Sequence, residues 1–382
     1  MHTFSQYLTT LLTPHGLVRQ LEGFTLTRDA QGRVISFLGN SAATFRIEWQ
    51  GRLYALRCYL RPFERDLELI YPGRVLREEL YLFTSPETGE WVDVVLCDWV
   101  EGEQLDLIIN QAAERGDLNT LTTISQRFDS LAARLAQDDW AMGDIKPENI
   151  LVDREFNLHL IDRDAMFIPT WEGLEAIEVG TPAWQHPSRT KQSFDRRIDH
   201  YTLALLSVQL RALALDPTLL LHHPESEGLL FSAQEISPRH LPSALEESLT
   251  LFARRGAARH YRLGLLLNEA TPPLERIEEL LSYAADKTLP HSNEQVEFYM
   301  EHGLCGFRSP RGVVIPPLYD RALDFREGYT AVTLGGEHHL INLRGESCWH
   351  AEGCDSLKSP REGRVRYHDN SGWHEVAISD LS

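Results

Sequence analysis

The sequence predicts an α+β chain in three stretches: a strand-rich first part, a helical middle and a small all-β tail. Three observations predict it. Between about residues 33 and 100, apolar positions alternate as in strands. From Leu105 to Gln137, and again from Asp199 to about Leu289, they recur at helical spacing. After residue 300 come short apolar runs cut by Gly and Pro, with an internal repeat. At 382 residues the chain suits two domains, or one large bilobal domain with an appendage.

Taken in order, residues 3–22 read as helical or mixed, and Asp29-Ala30-Gln31-Gly32 as a hairpin turn. Leu53–Tyr59 alternates like a strand, and Val94–Gly102 reads as a strand running into a turn. Two helices are predicted, Leu105 to Glu114 and Leu118 to Gln137. Further helices follow Asp199, interrupted at His222-His223-Pro224 and Ser237-Pro238, and Leu280 to Ala285 closes them. In the tail, Arg326-Glu327-Gly328 recurs 35 residues on as Arg361-Glu362-Gly363, and Gly303–Gly312 aligns with Gly336–Gly345, 33 residues on. Gly372-Trp373 begins a further partial unit. So short an array buries little surface alone, so it must pack on a neighbour or bind a partner.

The chemistry concentrates in Asp144-Ile145-Lys146-Pro147-Glu148-Asn149. A carboxylate, a cation and a carboxamide around a stiffening proline are what phosphoryl transfer needs: a proton acceptor, a partner for the moving phosphate and a Mg²⁺ ligand. Thirteen residues past Asn149, Leu158–Ile161 delivers Asp162 to a strand end. Gly180-Thr181-Pro182 and Pro187 follow, and then Asp199, opening a helix.

These four motifs, in this order and spacing, resemble those of eukaryotic-type Ser/Thr protein kinases. The resemblance implies a bilobal fold over residues 1–290, with a β-rich N-lobe (about 1–97) and a helical C-lobe (about 101–290). It implies ATP and Mg²⁺, with Asp144 and Lys146 catalytic, and Asn149 and Asp162 holding metal. Asp199 would brace the catalytic loop from below. Residues 300–382 resemble WG repeats, with Cys305 where the tryptophan stands.

Upstream, Arg57 lies where the family has its nucleotide-clamping lysine, and Arg77–Phe83 looks like the helix whose glutamate, here Glu79, pairs with it. The backbone of Asp98 to Val100 would meet the adenine edge, with Ala55 and Leu151 sandwiching the ring. Departures bear on activity. Of the Gly-rich loop only Gly39 remains, and Arg replaces Lys at 57 although a guanidinium is not a neutral swap for an ammonium. Met142-Gly143 replaces His-Arg, so phosphorylation switching of the usual kind is not expected; Thr170 and Thr181 are candidate autophosphorylation sites without a regulatory mark. Asp162-Arg163-Asp164 replaces Asp-Phe-Gly, and Ser188 replaces a final Glu. Only four lysines stand among 37 basic residues, so the lysine kept at 146 argues that its chemistry is wanted.

A formal net charge of −19 speaks against nucleic-acid or anionic-membrane partners; the acidic surface reads first as a device for solubility and only second as a match for basic protein substrates. Five scattered cysteines make no disulfide scaffold; Cys58 and Cys97 suit buried strands, and Cys348, His350 and Cys354 fit no zinc spacing. His222-His223 and His338-His339 read as surface or turn residues. With neither a signal peptide nor a run of about 18 apolar residues, the expectation is a soluble, cytoplasmic protein with a protein substrate or partner, engaged through the lobes or the repeats. Three readings follow: an active, divergent protein kinase; a pseudokinase scaffold; or a small-molecule phosphotransferase, because Gly143-Asp144 resembles the His-Gly-Asp of aminoglycoside kinases.

Overall fold

The computed structural model describes residues 1–223, 228–237, 240–283 and 296–381. It is a mixed α+β chain that divides into two units, Met1–Gly102 and Glu103–Ser382. The predicted helix end at Ala285, the prolines at 224 and 238, Lys287 and the predicted boundary near 290 lie outside the described residues.

The first unit opens with α1 (Phe4–Leu12), started by a capping box in which Thr3 and Gln6 satisfy each other's backbone N–H groups. There follow β1 (Thr25–Leu26), β2 (Ser36–Leu38), β3 (Ala42–Trp49), β4 (Arg52–Tyr59), a short α2 (Leu67–Ile70), β5 (Val75–Phe83) and β6 (Gly89–Asp98). The strands form one antiparallel sheet in the order β1-β3-β4-β6-β5, with β2 also on β3. Alternation sets which face is covered: Phe45, Ile47, Leu56 and Cys58 are fully buried and share a core with Tyr7 and Leu11 of α1. The predicted turn at Asp29–Gly32 is present, with Gly32 at φ 81° and its N–H on the Asp29 carbonyl at 2.9 Å.

One predicted element is corrected. Arg77–Phe83 is not a helix; it is the body of β5, paired with β6 from Leu80↔Val92 to Phe83↔Gly89. Its Leu-Tyr-Leu-Phe run has period two, and Leu80 and Leu82 are fully buried. An irregularity between Leu76 and Leu80, with Glu78 at φ 47°, lets Glu79 be buried beside Leu80. The Glu79 carboxylate accepts the backbone N–H groups of Arg19 (3.2 Å), Gln20 (2.9 Å) and Leu21 (2.8 Å). It organises a backbone turn. Glu79→Ala is expected to destabilise this unit by about 3 kcal/mol, because buried donors lose a charged acceptor, and Glu79→Gln by less. Urea denaturation of the full chain, followed by tryptophan fluorescence, measures both.

The second unit begins with β7 (Glu103–Gln104), α3 (Leu105–Arg115) and α4 (Leu118–Leu135). Gly116, at φ 64°, ends α3, and Asp117 caps α4 through the Thr120 N–H at 3.1 Å. β8 (Ile150–Val152) and β9 (Leu158–Leu160) complete a small sheet with β7. Then come α5 (His200–Leu215), α6 (Leu219–His222), α7 (Ser243–Arg255), α8 (Ala258–Leu266) and α9 (Leu274–Ser282). α5 is apolar nearly all round and buried on every side, as a central helix must be.

The tail holds three small antiparallel sheets. The first is β10 (Glu297–Glu301), β11 (Leu304–Ser309) and β12 (Gly312–Tyr319). The second is β13 (Arg321–Ala322), β14 (Tyr329–Leu334), β15 (Glu337–Asn342) and β16 (Ser347–His350). The third is β17 (Ser356–Leu357), β18 (Arg364–Asp369) and β19 (Gly372–Ala377). The sequence repeat is visible in the backbone: Glu327-Gly328 and Glu362-Gly363 all take positive φ, and Arg326↔Tyr329 and Arg361↔Arg364 form matching bridges. Glu327 ties one unit to the next by accepting the N–H groups of Glu362 (2.7 Å) and Gly363 (2.9 Å).

The two possibilities left for the tail, packing or partner, resolve in part. Cys305, Phe307, Ile315, Leu318, Tyr319, Val332, Leu334 and Ile341 belong to the same hydrophobic core as the helices. His339, expected at the surface, is buried against α7: its Nε2 lies 2.7 Å from the Ala253 carbonyl and its Nδ1 2.8 Å from Ser347 Oγ. Burial pushes its pKa down to about 4, so at neutral pH the ring is uncharged there. The third sheet has its own small core of Leu357 and Val365 with Ala331, Leu340 and Ala351.

Candidate functional site

The loop Asp144–Asn149 lies between α4 and β8. Ile145 anchors it in the core, and Pro147–Asn149 makes one 3₁₀ turn. Asn149 donates its side-chain amide to the Asp144 carbonyl at 2.9 Å, closing the loop on itself. The Ile161 N–H bonds the Asn149 carbonyl at 2.9 Å, which fixes the loop beside the strand that leads to Asp162.

Asp144 Oδ1 accepts the Thr181 N–H at 2.6 Å, and Asp144 Oδ2 lies 3.1 Å from Lys146 Nζ. Lys146 Nζ also donates to Thr181 Oγ1 at 2.9 Å. A carboxylate, an ammonium and a hydroxyl are thereby held in one triangle by residues 35 and 37 positions apart in sequence. Of the predicted catalytic and metal residues, Asp144, Lys146 and Asn149 are brought together, and Thr181, named only as a candidate autophosphorylation site, joins them.

Two glycines are demanded by this packing. Gly143 has φ 81°, and a Cβ there would fall 2.0 Å from the Ala165 carbonyl oxygen. Gly180 has φ 77°, and its Cβ would fall 2.7 Å from the Gly143 oxygen and 2.9 Å from Asp144 Oδ1. Glycine at 143 is therefore a steric necessity of this loop. Asp199, at the start of α5, accepts the N–H groups of both Met142 and Gly143, the latter at 2.9 Å. It braces the loop as expected. Burial raises its pKa to about 6, against the opposing pull of Arg189 and of those two N–H groups.

Asp162 stands just past β9, exposed, in the left-handed region at φ 63°. Asp164 is buried two residues on. Sequence reasoning missed Glu178, whose pKa is raised first by burial and then by the nearby carboxylates of Asp144, Asp164 and Asp162. It missed Arg189 as well, which donates to the Gly143 carbonyl at 3.0 Å and to Gln185 Oε1. Neither belongs to a motif.

The residues fit a hard divalent cation. Carboxylates crowd one another here with Lys146 beside them, and the oxygens of Asn149 and Asp162 are the donor type that Mg²⁺ takes. Among the described residues no three His, Cys, Asp or Glu side chains gather as a ligand set.

The remaining predicted residues divide between the units. Leu151 is in β8 of the second. In the first, Gly39 sits in the β2–β3 hairpin with its N–H on the Ala42 carbonyl at 2.9 Å. Ala55 and Arg57 are on β4, with the Arg57 guanidinium 5.5 Å from the Tyr59 ring centre. Asp98 ends β6 and pairs with Arg74 at 2.6 Å; Val100 follows it. Between them, the Trp99 N–H is taken by the Leu53 carbonyl at 3.1 Å. Glu79 is committed to the backbone of residues 19–21, so the predicted helix-borne partner of Arg57 is absent from that role. No protein-family model matches the chain, and no curated protein matches it.

Proposed function

We propose that the chain is a divergent ATP-dependent protein Ser/Thr phosphotransferase. The observation that carries this reading is the triangle of Asp144, Lys146 and the Thr181 hydroxyl and N–H, which holds a carboxylate next to a cation at a partly open surface. In the reaction, a substrate hydroxyl oxygen forms the new bond to the γ-phosphorus as the bridging P–O bond to ADP breaks. Asp144 orients the hydroxyl and takes its proton, and Lys146 balances charge on the phosphoryl oxygens. A Mg²⁺ held by Asn149 and Asp162 would supply electrostatic stabilisation of the phosphates. A basic protein substrate suits the carboxylates around Asp144 and the chain's net charge of −19.

A second reading, a pseudokinase scaffold, is favoured by one observation: Glu79 stands on a strand and is spent on the backbone N–H groups of residues 19–21. Transfer of radiolabelled γ-phosphate from ATP·Mg²⁺, onto the protein itself and onto a generic basic substrate, separates the two. Label with the parent and none with Asp162→Ala is the expected result. A folded parent that transfers no label under several divalent metals supports the scaffold.

A further inference from the structure

The turn carrying Asp144 is gripped at both of its polar ends. From below, the buried Asp199 carboxylate accepts the N–H groups of Met142 and Gly143. From the other side, the Arg189 guanidinium donates to the Gly143 carbonyl at 3.0 Å. Arg189 is half-buried and is joined to its own segment through Gln185 Oε1. Gln185 is buried in turn and lies 3.4 Å from the Thr202 hydroxyl of α5, which bonds the Trp184 carbonyl at 2.8 Å. One residue, Gly143, next to the proposed proton acceptor, is thus held at its N–H by an anion of one element and at its carbonyl by a cation of another. Gly180 packs into the same spot, where even a methyl group would strike the Gly143 oxygen.

We propose, on the reading of Asp144 as the proton acceptor, that Arg189 is a positioning residue for it. Its charge latches the segment around Gly180–Arg189 onto the Gly143 turn, so the loop is competent without a phosphate on that segment. The position just before Asp144 offers no arginine, being Gly143, and cannot offer one given the 2.0 Å approach to Ala165. Arg189 brings a cation to that turn from 46 residues away.

The electrostatics agree. Arg189 faces Asp199, Asp144 and Asp195, all of which favour its charged form against burial. Burial raises the Asp199 pKa to about 6, opposed by Arg189 and the two N–H groups and reinforced by Asp144. Above that pH it is ionised and holds the turn; below it the grip weakens. Without Arg189 the neutralising cation is lost and Asp199 protonates at higher pH, so the acid limb of kcat moves upward.

The test compares the phosphatase-treated parent with Arg189→Gln and Arg189→Lys in the full chain. Expected for Arg189→Gln are a fall in kcat of about 10²-fold with KM for ATP little changed, an acid limb at higher pH, and faster hydrogen exchange at the Met142 and Gly143 amides. Arg189→Lys should recover part of each, and phosphatase treatment should leave the parent's rate unchanged. A parent rate that collapses on dephosphorylation overturns the proposal, as does an Arg189→Gln protein with parental pH profile and amide protection. If the parent transfers no phosphate, the functional reading fails by itself. The exchange comparison, which needs no turnover, then decides the latch alone: unchanged protection removes it.

Discussion

Asp144→Asn is expected to lower phosphoryl transfer by about 10²–10⁴-fold, the range that a positioned general base contributes. The substitution is nearly isosteric. Its side-chain oxygen can still accept the Thr181 N–H that Asp144 Oδ1 holds at 2.6 Å, so the segment around Gly180 should stay in place. What is lost is the negative charge facing Lys146 at 3.1 Å and the ability to take a proton. Nucleotide affinity should change little, because the deficit lies in the chemical step. Stability should hold or rise: one carboxylate fewer relieves Glu178, whose pKa is raised partly by Asp144, and Asp199, which Asp144 also disfavours in its ionised form. The pairing of a large loss of rate with an unchanged or higher Tm is the signature, read by single-turnover kinetics beside thermal denaturation. A variant that keeps its rate within a few-fold removes Asp144 from the chemistry, and with it the proposed reaction.

Much of this site was legible because its parts are local. Asp144, Lys146 and Asn149 sit within one six-residue loop, and Asn149 closes that loop by bonding Asp144 itself. The α3–α4 boundary was legible for the same reason: Gly116, lacking a Cβ, takes the left-handed turn that ends α3, and Asp117 caps α4 with its own carboxylate. Arg189 and Glu178 were not legible, since Arg189 reaches Gly143 46 positions away and Glu178 meets Asp162, Asp164 and Asp144 through packing that no spacing rule encodes. The error at Glu79 has another cause. Arg-Glu-Glu-Leu-Tyr-Leu-Phe supports either period over so short a window, and the irregularity that buries Glu79 breaks the alternation which would have identified the strand. His339 was misread because its surroundings are set by α7, which lies 84–96 positions earlier in the chain.

Arg262→Met is expected to loosen the repeats from the helices, costing about 2–3 kcal/mol. Arg262 projects from α8 with its side chain 9% exposed. Its Nε donates to the Leu318 carbonyl at 2.6 Å, and a terminal nitrogen donates to Asp320 Oδ1 at 2.9 Å. Methionine keeps the apolar stem but supplies no donor, so the Leu318 oxygen and one Asp320 oxygen lose their partners together. The cost stays below that of a fully buried broken pair for a specific reason. Asp320 is 40% exposed and keeps the Gly335 N–H at 2.7 Å, so its charge still reaches water and one donor. Arg364→Ala is the matched control. It removes an ion pair to Glu375 at 3.3 Å whose two side chains are about half exposed, and such pairs contribute about 0–1 kcal/mol. Denaturation midpoints for the two variants should therefore differ clearly, and limited proteolysis should cut the Arg262→Met protein first near the β12–β14 stretch. Equal midpoints would mean that the shared core of Phe307, Ile315 and Leu334 holds the repeats without this lock. The polar contacts of Arg262 would then specify register and contribute little to stability.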